Sequence, residues 1–223
     1  MEALEIDIAG EKMALLPQRA LFWPARQMLV IADIHFGKAA SFRAHGIPVP
    51  RGTTTENLDA LDALVDACRA AHILFLGDFL HARHAHAPAT MAAIAGWRER
   101  RTGLALTLVR GNHDRHAGDP PSALGISVVD EPYRMGPFLF AHHPNENPAG
   151  YVLAGHLHPV YRLATRGDAL RLPCFLFGAG VGLLPSFGSF TGGYQVAPAT
   201  GDRLFVTAED RVLEIPPGPR QPD

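Results

Sequence analysis

The chain has 223 residues, 47% of them hydrophobic and 19% charged, with a formal net charge of −2. That composition suits one compact domain with a sizeable core, and it excludes a broad basic coat for nucleic acid. Two cysteines, Cys68 and Cys174, make no disulfide framework, and no apolar run approaches the ~20 residues of a membrane span. The acidic start Met1-Glu2-Ala3-Leu4-Glu5 lacks the basic region of a signal peptide, so a reducing, cytoplasmic setting is expected. One domain is expected over residues 1–215, with a frayed Pro/Gly-rich tail over 216–223.

Met28–Ala32 is a short apolar run with β-branched residues and reads as a buried strand. It ends in Asp33-Ile34-His35. In extended backbone, residues i and i+2 point the same way, so Asp33 and His35 can face one point. After a Pro/Gly loop, Thr53 and Glu56 fit a capping box with Thr53 as N-cap. The helix that follows puts Leu58, Leu61, Leu64, Val65 and Cys68 on one face, a core stripe with no function attached. Ile73–Leu76 is the next buried strand, and it runs into Gly77-Asp78-Phe79-Leu80-His81. Among the histidines here, His84 and His86 read as solvated, whereas His81 stands close to the carboxylate. Residues 88–102 read as a helix, with Met91, Ile94 and Ala95 inward and Arg98 to Arg101 forming a solvated face.

The apolar run Leu104–Val109 then delivers Gly111-Asn112-His113-Asp114. An amide, an imidazole and a carboxylate thus sit on a turn at a strand end, where open α/β sheets place their ligands. Gly, Asn and Asp are also ordinary turn residues, so the tetrapeptide needs its company to carry weight. Phe138–Ala141 ends in His142-His143, and Tyr151–Ala154 ends in Gly155-His156-Leu157-His158, a second i, i+2 pair. The apolar runs Leu170–Phe177, Tyr194–Ala197, Leu204–Val206 and Val212–Ile215 make the C-terminal half β-rich, with 178–193 read as loop.

Five strand-like runs therefore end in potential ligands. A shared site explains all of them at once. The mixture of imidazole, carboxylate and amide oxygen, without thiolate, suits Mn²⁺, Zn²⁺ or Fe. The donors are too many for one tetrahedral ion and enough for two ions sharing a bridging carboxylate.

In this order, D-x-H, G-D-x-x-H, G-N-H-D, a strand-end histidine and G-H-x-H over residues 33–158 resemble the calcineurin-like binuclear metallophosphoesterases. The resemblance implies an α/β four-layer sandwich, two mixed β-sheets flanked by helices. It implies that Asp33, His35 and His158 hold one divalent metal ion, and that Asn112, His142 and His156 hold the other. Asp78 would bridge them, and His143 is the fallback for His142. Mn²⁺ is the expected metal, with Zn²⁺ or Fe as alternatives. Two such ions turn a shared water into a hydroxide at neutral pH and neutralise phosphate oxygens. In the resembling family the histidine at His113 reaches the phosphate, so it is assigned to protonate the leaving oxygen or stabilise the transition state. Asp114 either orients His113 or caps the segment that follows. His81 and Arg115 are substrate-binding candidates. Lys38, Arg43, Arg51 and Arg83 could also line a phosphate path.

Only residues 115–141 separate GNHD from His142, which leaves little room for a large lid. Asp33–Lys38, His45–Pro48 and the glycine-rich Gly178–Gly193 stretch make the chain similar to the bacterial ligase-associated DNA damage response endonucleases. That resemblance implies a phosphodiesterase that cuts single-stranded or unpaired DNA in repair. It also implies association with an ATP-dependent DNA ligase, a helicase and an exonuclease. A small-molecule phosphodiesterase or nucleotide pyrophosphatase with the same binuclear site is the alternative. A silent scaffold of this fold would have lost ligands or His113, and every ligand type is present here.

Overall fold

The computed structural model describes residues 2–44, 46–49, 52–165, 168–188 and 191–216. His45, Arg51 and residues 217–223 of the expected tail lie outside the described residues. The first sheet is laid down in chain order: β1 (Leu4–Ile8), β2 (Glu11–Leu16), β3 (Ala20–Trp23), β4 (Met28–Ala32), β5 (His72–Leu76), β6 (Ala105–Val109) and β7 (Ile126–Val129). The pairs from β1 to β4 are antiparallel, and those from β4 to β7 are parallel. Parallel neighbours need crossovers, and these carry the helices. Helices α1 (Lys38–Ala44) and α2 (Thr53–Cys68) link β4 to β5, α3 (Pro88–Arg100) links β5 to β6, and α4 (Asn112–Ala117) links β6 to β7. The ends of β4, β5 and β6 thereby lie side by side on one edge.

The second sheet contains β8 (Tyr133–Met135), β9 (Phe138–Ala141), β10 (Tyr151–Ala154), β11 (Pro159–Thr165), β12 (Asp168–Phe177), β13 (Val181–Leu183), β14 (Tyr194–Gln195), β15 (Arg203–Ala208) and β16 (Arg211–Ile215). Its order is β14-β11-β12-β13-β10-β9-β8, with β15 paired to β12 and to β16. It is also mixed: β10 runs parallel to both β9 and β13, while β12 is antiparallel to β11, β13 and β15.

The period-two alternation of the strands splits the core. Leu29, Ile31, Ile73, Phe75 and Leu108 pack with Leu58, Leu61, Leu64, Ile94 and Trp97 of α2 and α3. Their sequence neighbours Val30, Ala32, Leu74, Leu76 and Val109 pack with Phe138, Phe140, Leu153, Phe175 and Phe205 of the second sheet. Strands covered on both faces read as continuous apolar runs, which is why β4, β5 and β6 stand out in the sequence. The α-helices among the described residues all fall between residues 38 and 117, and the other face of the second sheet closes on its own clusters, around Cys174, Val196 and Leu204. No helix among the described residues is long and apolar enough to cross a membrane.

Local expectations were displaced in three places. The N-cap of α2 is Gly52, at φ 103°, so Thr53 is the first helical residue instead of the cap. The arginine run at the end of α3 is not a bare solvated face. Arg98 donates to Leu124 O at 2.9 Å and Leu104 O at 2.8 Å, and Arg101 pairs with Asp62 at 2.7 Å and Asp66 at 2.6 Å. The glycine-rich stretch read as loop contains β13, which fills the gap between β10 and β12.

Candidate metal centre

The segments that leave β4, β5, β6, β9 and β10 bring seven donor residues together. Asp33, His35 and His158 hold one donor atom each within 4.8 Å of one another, and so do Asp33, Asp78 and His142. His35 Nε2 lies 3.4 Å from His158 Nε2 and 3.8 Å from Asp78 Oδ2. On the other side, His142 Nε2 lies 2.8 Å from Asn112 Oδ1, 3.0 Å from His156 Nδ1 and 3.4 Å from Asp78 Oδ1. The Asp78 carboxylate stands between the two groups, one oxygen toward each.

The hydrogen bonds behind the rings decide what the rings offer. His142 Nδ1 donates to Leu76 O at 3.1 Å, and His158 Nδ1 donates to Gly192 O at 3.0 Å. Each Nε2 is then a lone pair aimed inward. Burial holds the His35 imidazole far below its ordinary pKa, helped by the Lys38 charge, and lowers His142 as well, which favours the neutral form of each ring. Burial and the neighbouring Asp33 push Asp78 up to about 6. Asp33 Oδ1 is buried with no hydrogen-bond partner. Lone pairs and carboxylate oxygens face one another here with too few protons between them. Two divalent cations fit this donor set, and the orphaned Asp33 oxygen is what one of them would satisfy.

The backbone is bent to achieve this. Asp33, His35, Asp78, His156 and His158 have φ between 48° and 68°. That left-handed region costs an ordinary L-residue about 1–2 kcal/mol and persists only where the surroundings impose it. Residues i and i+2 do converge, but through left-handed corners and not through the extended backbone expected from the sequence. Between them, Ile34 and Leu157 pack into apolar clusters. The first corner is pinned by Ser186 Oγ donating to Asp33 O at 2.8 Å and by the His156 amide donating to Asp33 Oδ2 at 2.9 Å.

Gly111 is required by space. A Cβ there would sit 2.4 Å from Asp78 Oδ1 and 2.5 Å from Asp78 N. Its φ of −90° suits any residue, so alanine would disturb packing and nothing else. Gly111→Ala is expected to displace Asp78 and weaken divalent-metal binding about tenfold or more, since overpacking costs about 1–3 kcal/mol. Isothermal titration with Mn²⁺ reads this directly, and wild-type affinity in a folded variant would contradict it.

Two alternatives left open by the sequence meet different surroundings. His142 is fully buried among the donors; His143 is half-buried beside His142 and His156, and its Nδ1 donates to Glu131 Oε1 at 2.7 Å. Glu131 Oε2 also accepts from the amides of His142 and His143 at 2.8 and 2.9 Å. This carboxylate shapes the corner and went unnoticed in the sequence, because a lone acid before a proline carries no periodic or motif signal. The orienting role offered for Asp114 is corrected. Its oxygens accept from the amides of Gly111 and Leu80, each at 3.0 Å, so it caps α4 and ties GNHD to the β5 corner. The His113 ring is held instead by His81: Nδ1 donates to His81 O at 2.6 Å, and the two rings stack 4.8 Å apart. The His113 side chain is 38% exposed, with Nε2 3.9 Å from Asp78 Oδ2.

The outer candidates divide. Lys38 is half-buried within the field of Asp33 and Asp78; burial lowers its pKa and the two carboxylates oppose that. Arg115 turns to Asp130, at 3.5 Å, and Arg83 reaches His116 O at 3.4 Å, so neither joins the donors. His84 is exposed as expected, but His86 is half-buried, with Nε2 3.1 Å from Ala117 O.

A family model described as calcineurin-like phosphoesterase matches residues 27–165. Among solved structures, the nuclease MPE of Pseudomonas putida is 45% identical, with a TM-score of 0.86 over 96% of this chain and 100% of that one. Yfce, a phosphoesterase from E. coli, is 12% identical, with a TM-score of 0.44 over 84% of this chain and 97% of that one. A comparison with curated proteins finds no match.

Proposed function

This chain belongs to the calcineurin-like phosphoesterases and is a metal-dependent phosphoesterase; from that premise we propose that it is a DNA endonuclease that uses two Mn²⁺ ions to cut single-stranded or unpaired DNA in repair. The observation that carries this reading is the 45% identity, over 96% of the chain, to a protein named as a nuclease. In it, Asp33, His35 and His158 hold one ion, Asn112, His142 and His156 hold the other, and Asp78 belongs to both. Zn²⁺ or Fe would satisfy the same donors. Bound there, the ions supply Lewis acidity toward phosphate oxygens and lower the pKa of water.

The chain's own groups do the rest. The His81 carbonyl fixes the His113 ring by its Nδ1 proton, which leaves Nε2 free on a ring that is 38% exposed and 3.9 Å from Asp78 Oδ2. Protonated at Nε2, that ring can hand its proton to the leaving oxygen. Lys38 adds positive charge on the His35 side, where a flanking phosphate would pass. With only residues 115–141 between GNHD and His142, the site carries no large lid, which suits a flexible strand that can bend a phosphate inward. A stiff duplex, with a persistence length of about 50 nm, adapts less readily. A cytoplasmic location and functional company with an ATP-dependent DNA ligase, a helicase and an exonuclease belong to the same proposal.

Closed circular single-stranded DNA has no ends and so tests internal cutting. The Mn²⁺-loaded protein is expected to linearise it and then shorten it. An intact circle beside efficient hydrolysis of a small phosphodiester would replace this reading with the small-molecule phosphodiesterase.

A further inference from the structure

We propose that Arg162 and Arg171 form a phosphate grip for the DNA strand on the His158 side of the metal centre. The inference rests on the endonuclease reading above. Strand β11 begins at Pro159, the residue after His158, and Arg162 stands directly opposite Arg171 in the antiparallel β11–β12 register. Both are exposed. Like charges placed directly opposite each other destabilise a ribbon unless something of opposite charge lies between them. Among the described residues, neither has a carboxylate ion-pair partner. By contrast, Arg100, Arg101, Arg110, Arg115, Arg203 and Arg211 each have a carboxylate within 3.9 Å. Among the described residues Arg26, Arg69, Arg83 and Arg134 also have no ion-pair carboxylate, so what singles out Arg162 and Arg171 is that they face each other across the ribbon that leaves the metal centre after His158.

Its position ties it to the metal centre. Arg171 Nη2 donates to Gly193 O at 2.9 Å. The adjacent Gly192 O accepts from His158 Nδ1 at 3.0 Å, and the Tyr194 amide donates to His158 O at 3.1 Å. One short segment therefore holds both the His158 ring and the Arg171 guanidinium. The alternation along the ribbon sets the direction. Leu163 and Leu170 point to one side, whereas the arginines share the side of Val160 and Pro173. Further along that side, Phe175 enters the core between the sheets, so the arginines extend the face that looks toward the first sheet. From Pro159 to Arg162 the strand rises roughly 10 Å, at about 3.3 Å per residue. That places the grip beyond the scissile position, where the next phosphates of an extended strand pass. A polynucleotide has such phosphates and a small diester has none.

The test is salt dependence. KM for a short oligodeoxythymidylate is measured over a range of KCl with the Mn²⁺-loaded wild type, the Arg162→Gln/Arg171→Gln double variant and the Arg162→Lys/Arg171→Lys double variant. Single strands lose about 0.7 in log affinity per log salt for each neutralised phosphate, so removing two contacts should flatten the slope by about 1.4. That is a KM penalty growing about 25-fold for each tenfold fall in salt. The lysine variant should keep most of the slope. Arg100→Gln, which removes an ion-paired arginine on α3, should leave it unchanged. The ratio of rates on oligonucleotide to rates on bis(p-nitrophenyl) phosphate should fall for the glutamine variant alone. If the glutamine variant is folded and cuts DNA with the wild-type slope, the grip is overturned while the endonuclease reading stands. If the wild type cuts no DNA, both fall together.

Discussion

Asp78→Asn is expected to lose both metal ions and at least about 10³-fold in turnover, because in the proposed site its carboxylate serves two metal positions and metal stabilisation is worth several kcal/mol. The substitution is close to isosteric. An asparagine oxygen can still accept from the His113 amide, which Asp78 Oδ1 does at 2.9 Å. What it removes is charge. Asp78 is 2% exposed and sits beside the fully buried Asp33, so in the metal-free protein the two carboxylates repel in a poorly screened setting. The metal-free variant should therefore melt no lower than metal-free wild type, and the rise in melting temperature on adding Mn²⁺ should shrink. Metal analysis and paired melting curves read both effects without any assay of turnover. Two ions retained per chain would remove Asp78 from the bridging role.

His113→Ala is expected to behave in the opposite way, keeping both ions and losing about 10²- to 10⁴-fold in kcat, the usual contribution of a positioned acid or base. The His113 ring lies beside the donor set, its Nε2 3.9 Å from Asp78 Oδ2 and its centroid 5.1 Å from that of His35, but its Nδ1 is tied to His81 O. The contact that shapes Asp78 comes from the His113 backbone amide, and alanine keeps it. The ring also stacks on His81, so its loss leaves space at the rim and should make little difference to stability. Metal content separates the two variants: loss of metal in His113→Ala, with retention in Asp78→Asn, would reverse the assigned roles.

The parts of the architecture that could be read from the chain are those whose physics is local. β4, β5 and β6 are buried on both faces and announce themselves as apolar runs, and each hands over to a ligand segment. The first strand lacks that signature, since one face of β1 is exposed and Glu5 and Asp7 alternate with Leu4, Ile6 and Ile8. The convergence of Asp33 with His35, and of His156 with His158, was anticipated for a reason that does not hold, because the corners are left-handed. The same distance between side chains can arise from two backbones, and a spacing rule cannot tell them apart. Asp114 shows a second limit. A carboxylate next to a histidine in sequence suggests a pair, but the helix that starts at Asn112 turns Asp114 back to the Gly111 amide. Glu131 shows a third, since it acts on residues eleven and twelve positions away through backbone amides that any sequence would offer.

The left-handed corners also say what kind of compromise this fold is. At each of those five positions, the residue that would best suit the backbone is glycine, and the residue present is one that can bind a cation. Local stability and chemistry pull against each other there, which is frustration in the energy-landscape sense, concentrated at one end of the β-sandwich. The polypeptide holds the first of these corners with its own contacts, Ser186 Oγ and the His156 amide both donating to Asp33, so the framework itself carries part of the cost of the compromise.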